Sequence, residues 1–143
     1  MRWVMRTGHV VAMIVAFAGT NCATAAPTTA DGMDAVRAGQ WGGVHLAMTI
    51  ASDRADLEFD CGKASVSGAI DTDRNGAFAV TGSFQPERPG PASREAPPAR
   101  PMRLSGTVKG DEMQVTVRLT DSNEDVGTFT LTFGAAPRLV KCR

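Results

Sequence analysis

The stretch MRLSGTVKGDEMQVTVRL, residues 102–119, decides the fold. Met102, Leu104, Gly106 and Val108 alternate with Arg103, Ser105, Thr107 and Lys109. After Gly110-Asp111 the pattern restarts, with Met113, Val115, Val117 and Leu119 against Gln114, Thr116, Arg118 and Thr120. A period of two over four or more positions marks a strand with one buried face, and a glycine-bearing break between two such runs marks a hairpin. The same signature recurs on both sides. Before it come Val44, Leu46, Met48 and Ile50 (in a run opening at Trp41), then Leu57, Phe59 and Cys61, then Val66, Gly68 and Ile70, then Phe78, Val80, Gly82 and Phe84. After it come Phe129, Leu131 and Phe133, and a short last run from Leu139 to Cys142. Asn75-Gly76 supplies a strong hairpin signal and Asp121 to Asp125 a polar turn. No segment offers a helix of useful length. The expectation is an all-β chain of about eight antiparallel strands.

Gly68, Gly82 and Gly106 each interrupt an inward row and each follow Ser or Thr. A mid-strand glycine weakens a strand, so its recurrence needs a cause, and glycine kinks let a small sheet curl to closure. Eight strands is also the number whose barrel interior side chains just fill. An up-and-down barrel is therefore expected in preference to a β-sandwich.

Gly39-Gln40-Trp41 opens the first run, and this Gly-x-Trp resembles the opening of calycin barrels (lipocalins, fatty-acid-binding proteins and avidin). The resemblance implies that Trp41 covers one end of the barrel and that Arg138, from the last run, stacks on its indole. The chain is shorter than a lipocalin and lacks the later lipocalin motifs and a C-terminal helix. Trp41-Gly42-Gly43, Phe59-Asp60-Cys61 and the terminal Cys142 also resemble small exported bacterial proteins of no assigned function.

The chain has 143 residues with 15 basic and 15 acidic side chains, so one domain is expected and no charge surplus argues for nucleic acid. Arg2 and Arg6, the apolar run Val10 to Ala18, and Ala23-Thr24-Ala25 together have the layout of a secretory signal peptide, residues 1–25. The apolar run is too short to span a membrane, which takes roughly 20 residues. Lipid attachment at Cys22 is the rival, but Asn21 before it fits poorly. Loss of Arg2 and Arg6 leaves 13 basic against 15 acidic groups, a net charge of −2. Residues 26–40 read as a flexible tether holding at most one helical turn, and 41–143 as the barrel domain. Cys61 and Cys142 then form an even pair in an oxidising compartment, which reads as one disulfide rather than two buried thiols. Six of the eight prolines fall in residues 86–101, an extended loop too long for a hairpin turn.

Candidate chemistry is sparse. Asp71-Thr72-Asp73-Arg74-Asn75-Gly76 spells the start of a calcium loop, yet the twelfth position, where a bidentate acid belongs, is Gly82. Asp71, Asp73 and Asn75 therefore read as a polar turn, and neither a metal nor another cofactor is expected. His45, the only histidine outside the first 25 residues, falls on an outward face, and no Gly-x-Ser-x-Gly elbow exists. Glu58 and Asp60 alternate outward as solvated carboxylates. The expectation is a non-catalytic exported barrel binding a small apolar ligand inside or a protein at its loops, with no integral membrane span. A structural envelope module without ligand and a periplasmic hydrolase inhibitor are the alternatives.

Overall fold

A computed structural model describes residues 34–88 and 97–142. The signal-peptide layout, Cys22 and the middle of the proline-rich stretch lie outside these residues. Ten strands are present: β1 (Asp34–Ala35), β2 (Gly39–Gly43), β3 (Leu46–Ile50), β4 (Arg54–Phe59), β5 (Gly62–Ser67), β6 (Asp71–Thr72), β7 (Ala77–Pro86), β8 (Arg100–Lys109), β9 (Glu112–Leu119) and β10 (Asp125–Phe133). Eight of them close an antiparallel barrel in the order β10-β2-β3-β4-β5-β7-β8-β9, while β1 and β6 form a separate two-stranded sheet. Closure is made by β10 on β2, where Phe133 faces Trp41 and Leu131 faces Gly43. The expected all-β, up-and-down barrel is the observed fold, and its architecture is calycin-like.

The alternating rows resolve into an inner and an outer wall as polarity dictates. Leu46, Met48, Leu104, Met113, Val115, Val117 and Leu131 are fully buried, and Phe59, Phe78 and Phe84 pack with them. Phe59 meets Phe84 and Phe129 edge-on at 5.5 Å. With Trp41 of β2 and Val66 of β5 these side chains converge from all eight barrel strands and occupy the interior, as the geometry of an eight-stranded barrel allows.

The barrel has eight of the ten described strands, but its membership differs from the expectation at both ends. The first run is two strands. It folds back at Val44-His45, with His45 at φ 68°, so that Trp41 pairs with Met48 and Gly42 with Ala47. The last run, Leu139 to Cys142, is not a strand; only Arg138 makes a single parallel bridge, to Val44. The tether also differs. From Asp34 onward it carries β1 rather than a helical turn, and Val36 is buried.

The three glycines part company. Gly82 and Gly106 sit inside β7 and β8, where a Cβ would collide with the main-chain oxygens of Ser65 and Gln114 on the neighbouring strands. Their lack of a side chain permits that close approach. Gly68 is instead exposed in the bend after β5, at φ 94°, with open space around its Cα. It turns the chain out of the barrel toward β6 rather than kinking a strand.

Candidate functional site

Trp41 is fully buried at one end of the barrel, with Phe133 edge-on at 5.1 Å and its Nε1 donating to the Arg37 carbonyl at 3.1 Å. The cation there is Arg37. Its guanidinium lies 3.4 Å from the Phe133 ring centre and 5.9 Å from that of Trp41, and it pairs with Asp111. Arg138, expected on the indole, is elsewhere: its N–H donates to the Gly43 carbonyl at 2.9 Å and its carbonyl accepts from the His45 N–H at 2.8 Å. The physical reason lies in the last run, which passes over the outer face of β2 at Gly42 and on to the Val44-His45 turn as a strap instead of adding a strand, so Arg138 is outside the wall and the indole inside.

That strap, residues 135–142, converges on the turn after β4. Asp60 is its hub. One carboxylate oxygen accepts the Val140 N–H at 2.7 Å and the other meets His45 Nδ1 at 2.5 Å, while the Asp60 carbonyl accepts the Cys142 N–H at 3.2 Å. The Val140 amide, followed by the His45 contact, holds the Asp60 carboxyl below the usual range. Lys141 donates to the Phe59 carbonyl at 2.9 Å and pairs with Glu58 at 2.8 Å, which lowers the Glu58 pKa in the same way. Cys61 and Cys142 are brought to disulfide distance, 5.3 Å between Cα atoms, and are paired. Cys61 is exposed in the turn rather than inward, because the β4 alternation stops at Phe59. His45 is thus a turn residue oriented by an ionised carboxylate and not a member of a strand face.

Asp71 lies in β6 opposite Ala35, and only Asp73 and Asn75 of the three belong to the turn that follows. Asp73 Oδ1 accepts the N–H groups of Asn75 at 2.8 Å and Ala77 at 2.9 Å, which commits the oxygen that a cation would need. Among the described residues no three His, Cys, Asp or Glu side chains cluster as metal ligands do. At the opposite side of the barrel from the strap's anchor strands, Arg100 is held by Asp121 at 2.8 Å and Arg118 by Asp125 at 2.7 Å. Each aspartate is lowered and each arginine raised by its partner. These pairs brace the β9–β10 turn.

A groove of about 520 Å³ lies on the outer wall. Its floor is the outward row of β3, β4, β5 and β7. Pro137 and Leu139 of the strap wall it on one side, and Ala99, at the described end of the proline-rich stretch, closes the other. Gln85 of β7 donates to the Pro97 carbonyl and ties that end down. Sequence reasoning missed this groove because its members come from strands whose mutual register no local pattern reveals.

No family model, no curated protein and no solved structure matches the chain. Among the described residues no helix is long and apolar enough to cross a membrane.

Proposed function

We propose that the protein is a non-catalytic, exported barrel that binds its partner molecule on the outer wall, in the groove between the strap and Ala99. The observation carrying this reading is the contrast between the two walls. The inner one is occupied by fully buried Leu, Met, Val and Trp side chains, whereas the outer one has a walled depression of ligand size. A small apolar ligand enclosed in the barrel is the weaker reading, since it would have to displace that core. The disulfide and the short export-like leader favour a location outside the cytoplasm.

Site-specific photocross-linking tests the reading in the producing cell. A photoreactive residue at Ser65, on the groove floor, is expected to yield a discrete adduct. The same residue at Thr130, on β10 and diametrically across the barrel, is expected to yield none. Equal capture from both positions, or capture from Thr130 alone, refutes the reading.

A further inference from the structure

The strap changes character along its length. Up to Arg138 it is held by paired main chain, the Arg138 N–H donating to Gly43 at 2.9 Å and its carbonyl accepting from His45 at 2.8 Å. It also lies close on β2, where a Cβ at Gly42 would meet the Ala135 carbonyl oxygen at 2.1 Å. Beyond Arg138 the hold is weaker. Leu139 is half-buried, and Val140, Lys141 and Cys142 are exposed. The Val140 N–H reaches the Asp60 carboxylate at 2.7 Å, the Cys142 N–H reaches the Asp60 carbonyl at 3.2 Å, and Lys141 binds the Phe59 carbonyl and Glu58. Water competes for each of these partners, and an exposed ion pair adds little. Ordering four residues costs conformational entropy that such contacts offset only in part. The covalent tie from Cys142 to Cys61 supplies the rest.

The barrel does not depend on that tie. β10 closes on β2 through Leu131, Thr132 and Phe133, before the strap begins, and residues 139–142 place no side chain in the core. The groove does depend on it. Leu139 stands on its wall, and Lys141 neutralises Glu58 on its floor at 2.8 Å. Both cysteines are exposed, so a thiol in solution can reach the bond.

We propose that the Cys61–Cys142 bond is a redox latch on the groove: opening it frees residues 139–142, takes Leu139 off the groove wall and strips Lys141 from Glu58, while the barrel stays closed. This rests on the groove being the binding face. The reductant is a dithiol. One of its thiolates attacks a sulfur of the bond, forming a mixed disulfide and expelling the other cysteine as a thiolate, which takes up a proton. The second thiol of the reductant gives up its proton and displaces the remaining cysteine, which is protonated in turn. Two electrons pass to Cys61 and Cys142, and the dithiol becomes a disulfide.

The test follows backbone-amide hydrogen exchange in the disulfide-bonded protein, in the same protein treated with dithiothreitol, and in the double variant Cys61→Ser, Cys142→Ser. With the bond open, the amides of residues 140 and 142 are expected to exchange at least about tenfold faster, while those of Met113, Val115 and Leu131 keep their protection. Asp60 reports the same event. The Val140 N–H is the main cause of its lowered pKa, so its carboxyl is expected to titrate at higher pH once the strap end leaves. Unchanged exchange at residues 140 and 142 overturns the latch. Loss of protection at Met113 and Val115 also overturns it, since the bond would then support the whole barrel. Photocross-linking from Ser65 carries the test to binding: the wild-type adduct is expected to be lost in the double serine variant, and an undiminished adduct overturns the latch. Absence of an adduct from the wild type refutes the groove reading, and the latch, with nothing to control, falls with it whatever the amides show.

Discussion

Replacing Trp41 with alanine removes the side chain that ties three parts of the protein together. Its indole is fully buried, packs edge-on against Phe133 of the closing strand, and holds the Arg37 carbonyl of the segment leading into β2. Truncation of a buried aromatic of this size costs about 3–5 kcal/mol, from lost transfer energy and the cavity left behind. For a domain of about 100 residues each kcal/mol lowers the melting midpoint by about 4 °C or more, so Trp41→Ala is expected to lose at least about 12 °C. Arg37→Ala removes a cation over Phe133 and a half-exposed ion pair, together about 1 kcal/mol, and Arg138→Ala costs less because its ordered contacts are main-chain ones. The assay is thermal unfolding followed by circular dichroism. In a chain starting at Ala26, Trp41 is the sole tryptophan, so its fluorescence is a second readout, expected blue-shifted and insensitive to acrylamide. A Trp41→Ala midpoint close to wild type, or quenchable emission, refutes the packed barrel end. A larger loss for Arg138→Ala than for Arg37→Ala refutes the assignment of the cation.

Gly106→Ala and Gly82→Ala are expected to destabilise more than Gly68→Ala in urea titrations, because the first two drive a methyl group into a neighbouring strand's carbonyl while the third meets open space and bears only the cost of its positive φ. Reduction of the Cys61–Cys142 bond, which closes a separation of 81 residues, is expected to lower stability by about 4 kcal/mol, and alkylation of the unreduced exported protein should find neither cysteine free. Asp60 has a folded pKa below its ordinary 3.8, so its contribution is fully present above that value and is lost as pH falls through the lower, folded one. Asp60→Asn should therefore flatten the acid limb of the stability–pH curve and leave the neutral region's slope unchanged. Millimolar calcium should leave the melting midpoint where it was, and Asp73→Ala should destabilise equally with and without it, because Asp73 caps a turn.

Strand character was legible because it is local. A residue pointing inward next to one pointing outward needs only the alternation of Met113, Gln114, Val115 and Thr116 to be seen. The turn at Val44-His45 was written more faintly, as a change of parity. Trp41 is buried at an odd position, while Leu46, Met48 and Ile50 are buried at even ones. A single strand cannot switch faces that way without a bulge or a turn, and the chain folds at Val44-His45, between the two parities. The strap resisted reading for a different reason. Arg138 to Cys142 has no periodicity of its own and is placed by Asp60, Glu58 and the disulfide, all about 80 residues away in sequence. The pairing of Cys61 with Cys142 was the one part of it that parity of cysteines could announce. The groove lies further still from local pattern. Thr49, Asp56, Ser65 and Ser83 are unremarkable outward residues one strand at a time, and they become a row only when four strands take their register.

Whether this barrel binds outside its wall rather than within it is tested most directly by titration with an apolar fluorescent fatty acid, read through Trp41. With the interior occupied by its own side chains, the probe should show no saturable brightening, and Trp41 emission should stay constant up to saturating probe. One-to-one binding accompanied by quenching of Trp41 would place the ligand inside the barrel and contradict the account.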